Sequence, residues 1–182
     1  MIYLFLADGF EEVEALTPAD MLRRCGKDVI ITGVGGRVIT GSHGITVTAD
    51  ITDSEIELDD TVEMIILPGG MPGTLNLKKS AAVQSAIDFC VKNGIYIAAI
   101  CAAPSILGEK GLLSGRRAVC FEGYEPLLMG AEILKDDVCC DGQFITARGA
   151  GLSLDFALKL VEVLISGERS DNLAASLMLN RS

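Results

Sequence analysis

Of the groups in this 182-residue chain that could do chemistry, Cys101 is the best placed. It ends the apolar run Ile95-Tyr96-Ile97-Ala98-Ala99-Ile100 and precedes Ala102-Ala103-Pro104-Ser105-Ile106-Leu107-Gly108. The first stretch, with its β-branched isoleucines, reads as a buried strand; the second reads as a short helix with Pro104 in its first turn. A nucleophile on so tight a strand-to-helix turn needs small neighbours two residues away on each side. Ala99 and Ala103 supply them. A helix N-terminus offers a thiol unpaired N–H groups and the positive end of the dipole, so a lowered pKa is expected for Cys101. Such a group attacks electrophilic carbon or is oxidised by peroxide. On spacing alone a second reading stays open, because a free cysteine in an apolar run commonly serves as a small buried hydrophobe.

Three other features belong beside it. Asp8-Gly9 ends a first strand over residues 2–7 and leads to the acids Glu11, Glu12 and Glu14. Pro68-Gly69-Gly70-Met71-Pro72-Gly73 closes a strand over 62–67, and Ala147-Arg148-Gly149 follows β structure over 133–146. Strands alternating with helices predict a parallel sheet covered on both faces, whose ligands bind outside the carboxyl ends of the strands. All four features fall on that edge. Gly69 and Gly70 can adopt unusual backbone angles and present N–H groups to an oxyanion, as can Ala102 at the helix start. Arg148 is the candidate substrate-binding side chain there.

The remaining elements follow from periodicity. A helix is expected over 11–25, with Val13, Leu16, Met21 and Leu22 in the core and Pro18 kinking it. A buried strand follows over 29–34. Gly33-Val34-Gly35-Gly36 is no dinucleotide fingerprint, since it leads into strand-like Arg37-Val38-Ile39-Thr40 and offers no helix for a pyrophosphate. A short strand over 45–48 and a solvated acidic connection over 53–60 precede the 62–67 strand. Helices are expected over 81–93, 152–166 and 171–179, and a strand over 117–121. No linker divides the chain, so one domain over 1–182 is expected, with a helical C-terminal extension from about residue 167.

The charge balance restricts the partners. A net charge of −10 and a pI near 4.5 argue against nucleic acid and anionic membranes. The apolar runs stop well short of the roughly 20 residues of a membrane span. Residues 1–6 have neither a basic region nor a cleavage site, so a cytoplasmic location is expected. The six cysteines show no C-x-x-C spacing, which leaves no expected metal site and implies reduced thiols. Adjacent Cys139 and Cys140 would point to opposite faces of a strand and read as inert.

Four motifs in order carry a family resemblance: Glu11-Glu12-Val13-Glu14-Ala15-Leu16-Thr17-Pro18-Ala19-Asp20, Leu67-Pro68-Gly69-Gly70, Ala98-Ala99-Ile100-Cys101-Ala102-Ala103-Pro104 and Thr146-Ala147-Arg148-Gly149-Ala150-Gly151. Together they closely resemble the ThiJ/PfpI superfamily, in the branch of the parkinsonism-associated deglycase, over residues 1 to about 166. The resemblance implies a flavodoxin-like doubly wound α/β fold with helices on both faces, a nucleophile elbow at Cys101, a homodimer and no cofactor. It singles out Glu14, which the residues alone do not distinguish from Glu11 or Glu12 as a helix-start acid. In the family this Glu is largely protonated, hydrogen-bonds thiolate or sulfinate, and can act as general acid and base. Gly70 and Ala102 would supply the oxyanion N–H groups.

One departure stands out. Many relatives carry a His after the next strand, where this chain reads Val119-Cys120-Phe121-Glu122-Gly123-Tyr124, which puts Phe121 in that place. A Cys-His dyad of the cysteine-peptidase type is therefore excluded. The single histidine, His43, lies in a Gly-flanked turn where many relatives have Arg, and reads as a turn or dimer-contact residue. The expected function is cofactor-free, Cys101- and Glu14-dependent chemistry on α-oxoaldehydes such as methylglyoxal, or on their early protein or thiol adducts, of glyoxalase III or deglycase type. The alternative is a redox sensor or stress-protective chaperone that uses oxidation of Cys101 to sulfinate. An amidotransferase-like role is opposed by the missing histidine.

Overall fold

A computed structural model describes residues 1–179. Along the chain lie β1 (Ile2–Leu6), α1 (Glu12–Arg24), β2 (Val29–Gly33), β3 (Val38–Thr40), β4 (Thr46–Thr48), β5 (Ile51–Thr52) and β6 (Met64–Leu67). They are followed by α2 (Gly73–Lys79), α3 (Ala81–Asn93), β7 (Tyr96–Ile100), α4 (Pro104–Glu109), β8 (Arg117–Ala118) and β9 (Glu132–Ile133). The chain closes with β10 (Val138–Asp141), β11 (Phe144–Ala147), α5 (Ser153–Leu164) and α6 (Gly167–Ser176).

Seven strands form one sheet in the order β10-β11-β7-β6-β1-β2-β5, parallel throughout except for the antiparallel edge pair β10 and β11. The period of two divides its side chains between two cores. Ile2, Leu4 and Leu6 of β1, with Met64, Ile66, Ala98 and Ile100, pack on α1, α5 and α6. Tyr3 and Phe5, with Ile65, Leu67, Ile97 and Ala99, pack on α2, α3 and α4. A fully buried Ile or Leu contributes roughly 1.5–3 kcal/mol, so a slip of one residue would exchange the faces of an entire strand at high cost. The chain first moves from β1 to β2 and β5, then returns to β6 on the other side of β1. That reversal creates a crevice beyond the carboxyl ends of β1 and β6.

Several expectations need correction. Val13 is 47% exposed and Leu16 only half-buried, because the inward face of α1 is Glu12, Glu14, Ala15, Pro18, Ala19, Met21 and Leu22. A glutamate occupies the place where apolar periodicity looks for a hydrophobe. Helix α1 continues through Pro18. Helix α2 was not expected after so many Pro and Gly residues, yet Pro72 serves as its N-cap residue and Leu77 anchors it in the core. The strand expected over 117–121 is only two residues long, since beyond it Val119 N–H donates to the Thr146 hydroxyl at 3.0 Å, a side chain, and not to a backbone carbonyl. The last helix starts at Gly167, with the Ser166 hydroxyl capping Arg169 N–H, and its Leu173 and Ala174 join the core. The end of the extension, residues 180–182, lies outside the described residues. No helix among the described residues is long and apolar enough to cross a membrane.

Candidate active site

Strand β7 ends at Ile100, and Cys101 turns the chain with φ 64°, the left-handed region. A residue with a Cβ pays about 1–3 kcal/mol for that conformation unless its surroundings impose it. Here the peptide is clamped from both sides: Cys101 N–H donates to Ala147 O at 2.9 Å, and Phe121 N–H donates to Cys101 O at 2.8 Å. Helix α4 then begins with Pro104 at its first position, and the Ser105 hydroxyl donates to Ala102 O at 2.6 Å.

The second loop comes from β6. Gly69 N–H donates to Glu14 Oε2 at 2.9 Å, and a Cβ on Gly69 would stand 2.7 Å from both that oxygen and Cys101 Cβ. Only glycine lets the acid and the thiol close over this backbone. Gly70, at φ 89°, is pressed against the β1–α1 loop, where a Cβ would lie 2.5 Å from Gly9 O. The same two loops are joined by Glu11 N–H to Gly69 O at 3.0 Å and Gly73 N–H to Gly9 O at 3.1 Å. The backbone amides of Gly70 and Ala102 lie close enough to the Cys101 thiol to pull its pKa down.

Glu14 is fully buried, and its Oε1 has no hydrogen-bond partner of standard geometry. Burial pushes its carboxyl up to about 7, against the pull of the Cys101 thiol and Gly69 N–H, with a small further rise from Glu11. Burial likewise pushes the Cys101 thiol up to about 12; the adjacent Glu14 carboxylate adds to this, and the Ala102 and Gly70 amides oppose it. The expectation of a lowered thiol pKa is thus reversed in the resting site. A one-and-a-half-turn helix and two amides do not offset desolvation beside a carboxylate. The two side chains nevertheless share one proton, and its transfer from sulfur to Glu14 oxygen leaves a thiolate facing a carboxylic acid with no change in net charge. Burial also pushes Cys90 and Cys120 up to about 12, but neither thiol is paired with a buried carboxylate that could accept its proton as Glu14 can from Cys101.

Glu14, Gly70, Cys101 and Ala102 line one cavity of about 260 Å³. Gly69 does not line it, and its N–H is already held by Glu14 Oε2, so the oxyanion donor expected there is not free. Arg148 stands outside this cavity: it lines an adjoining one of about 380 Å³ with Phe121, Glu122 and residues 149–152, and its guanidinium is 3.9 Å from Asp137. Phe121 occupies the wall of the Cys101 cavity. Glu11, Met71, Tyr124 and Ala150 also line it, and residue spacing had not placed them there as site residues. Met71 and Ala150 lie within the glycine-bearing stretches 68–73 and 146–151, which is a signal for their place; nothing local marks Tyr124.

Glu12 has a different task. Its carboxylate accepts His43 N–H at 2.8 Å, meets His43 Nδ1 at 3.0 Å and is 3.3 Å from the Ser42 hydroxyl. Burial raises its pKa, but these contacts outweigh burial and lower it to about 2. Glu12 in turn raises His43. Glu11, Glu12 and His43 place ligand atoms within 4.8 Å of one another, the one such group among the described residues. Because the oxygens of Glu12 already serve the β3–β4 turn, we read the group as the anchor of that hairpin to α1.

Residues 1–163 match the DJ-1/PfpI family. The Drosophila melanogaster protein dj-1beta is 34% identical over 179 residues, which cover 97% of this chain and 95% of that protein. The Caenorhabditis elegans glutathione-independent glyoxalase DJR-1.2 is 30% identical over 170 residues, covering 93% and 90%. The solved structure of oxidized Toxoplasma gondii DJ-1 has a TM-score of 0.94 at 32% identity, over 99% of this chain and 98% of that one. An open sheet that reverses direction beside β1, an elbow cysteine and an alignment over nearly the whole chain lead to one assignment: this protein belongs to the DJ-1/PfpI family.

Proposed function

We propose that the protein converts small α-oxoaldehydes such as methylglyoxal to the corresponding hydroxy acids, and acts on their early thiol or amine adducts, without a cofactor. The observation that carries this reading is a fully buried Glu14, its carboxyl near 7, beside Cys101 in a cavity with no histidine. The proton on Cys101 passes to Glu14, and the sulfur adds to the aldehyde carbon. The carbonyl π electrons move to oxygen, which takes up a proton to give a hemithioacetal. The N–H groups of Gly70 and Ala102 stabilise charge on the oxygen. Glu14, again a carboxylate, removes the C–H proton of that carbon to give an enediol and returns a proton to the neighbouring carbon. One carbon is oxidised and its neighbour reduced, so no outside electron carrier takes part. The resulting thioester is cleaved by water, which releases lactate and restores the thiol. The name of the Caenorhabditis elegans relative, a glutathione-independent glyoxalase, favours the same chemistry.

The test is lactate formation from methylglyoxal in Tris-free buffer without added thiol, for the unsubstituted protein and for Cys101→Ser and Glu14→Gln. Loss of lactate in both variants is expected. No turnover above buffer by the unsubstituted protein refutes the proposal.

A second reading, redox sensing or stress protection through a Cys101 sulfinate, is favoured by the two amides and the Glu14 carboxyl around the sulfur. Mild peroxide followed by mass spectrometry decides it: oxidation of Cys101 no faster than that of Cys90 or Cys120 rules it out. We also propose a homodimer, since Val13 of α1 and Val38 and Ile45 of the anchored hairpin are large apolar side chains left exposed. Sedimentation velocity at micromolar concentration tests it, and a monomer there refutes it.

A further inference from the structure

Phe121 is a large apolar side chain that the core does not hold: it is 49% exposed and belongs to neither hydrophobic cluster. Its position is nonetheless well defined. Its N–H is tied to Cys101 O at 2.8 Å, so the backbone that carries the ring moves with the nucleophile. The ring lies on the backbone of Gly149, where a Cβ would come within 3.2 Å of Phe121 Cδ2, and the Tyr124 ring meets it edge-on at 6.5 Å. Phe121 and Ala150 line both the Cys101 cavity and the adjoining Arg148 cavity, so they form the wall between the two. A phenyl ring carries no proton to give or take. At this wall it can supply only shape and an apolar surface.

We propose that Phe121 is the specificity-determining residue of the site, a partition that limits substrates to aldehydes with short substituents by closing the Cys101 cavity on its Arg148 side. This rests on the aldehyde reading for its substrate class. Removing the ring joins the cavities of about 260 and 380 Å³ and admits a long aryl substituent. Because half of the ring is already in solvent, its truncation leaves the core intact.

The experiment compares the unsubstituted protein with Phe121→Ala and Phe121→Tyr, the latter keeping a ring of the same width. Two ratios are measured: kcat/KM for 2-naphthylglyoxal over methylglyoxal, and the rate of Cys101 alkylation by N-(1-naphthyl)iodoacetamide over iodoacetamide, followed by mass spectrometry. Both ratios are expected to rise about tenfold or more in Phe121→Ala and to stay within about twofold in Phe121→Tyr, in line with the selectivity available from an apolar wall. Ratios unchanged in Phe121→Ala overturn the partition and leave the aldehyde reading standing. A shifted alkylation ratio without methylglyoxal turnover by any form supports the partition and refutes the aldehyde reading instead.

Discussion

Replacing Glu14 by Gln should stabilise the protein while abolishing its proposed turnover, and the gain should depend on pH. Glu14 is fully buried, and its carboxyl is raised from 4.5 to about 7. The folded state therefore holds this proton more tightly than the unfolded chain does. Its stabilising effect is complete below about 4.5 and is lost as pH rises through about 7. At about 1.36 kcal/mol for each tenfold change in proton affinity, the full loss is about 3 kcal/mol, reached by pH 8; about 1 kcal/mol of it is already gone at pH 5.5. Glutamine has no charge to bury and still accepts the Gly69 N–H. Glu14→Gln should thus exceed the unsubstituted protein by about 3 kcal/mol at pH 8 and about 1 kcal/mol at pH 5.5. For a chain of this length the pH 8 gain amounts to a Tm rise of about 6–12 °C. Urea unfolding at the two pH values, both above the pI near 4.5, reads the difference directly. A variant no more stable than the unsubstituted protein at pH 8, or a gap that does not narrow at pH 5.5, would refute the assignment of Glu14 as a strained buried acid.

Other perturbations test the neighbouring contacts. Burial and then the Glu14 carboxylate hold the Cys101 thiol high, so at pH 8 iodoacetamide should label Cys101 faster in Glu14→Gln; a slower rate would show that Glu14 activates the resting thiol instead. Gly69→Ala puts a Cβ 2.7 Å from both the nucleophile and its acid, which should cost about 1–3 kcal/mol in urea unfolding and remove turnover. Gly36→Ala, where a Cβ meets nothing within 4 Å, is the matched control and should change stability by less than about 0.5 kcal/mol. Glu12→Gln weakens the anchor of the hairpin and should cost about 1–2 kcal/mol at pH 7, measured by urea unfolding. Since its carboxyl is lowered from 4.5 to about 2, that contribution is complete above 4.5 and fades as pH falls through about 2.

Much of this architecture was legible in the residues. The isoleucine-rich runs at β6 and β7 are too short for buried helices and too apolar for exposed ones, and the four punctuated strand ends pointed to one edge. Cys101 was readable from its small flanks, and the left-handed turn there is the physical reason for them. Its ionisation was not, because desolvation depends on what closes over the sulfur from β6 and α1, far away in sequence. Glu14 could be chosen over Glu11 and Glu12 only by family resemblance, since the depth to which a helix-start acid is buried is a tertiary property. Val13 failed for the complementary reason: α1 turns two glutamates inward, so its hydrophobic pattern misstates its orientation. Phe121 could be recognised as a missing histidine, but its place between two cavities needed the fold.

The packing of bare backbone around Gly9, Gly69, Gly70 and Gly73 also bears on how such a site can evolve. Those positions are defined by atoms that must be absent, so no point mutation there can reshape the chemistry without forcing two loops apart. The opposite wall is built from Met71, Phe121, Tyr124 and Ala150, whose side chains project into free volume. Variation can accumulate on that wall one residue at a time while the nucleophile and its acid stay in register. A lineage on this scaffold can therefore change what it accepts far more readily than how it reacts.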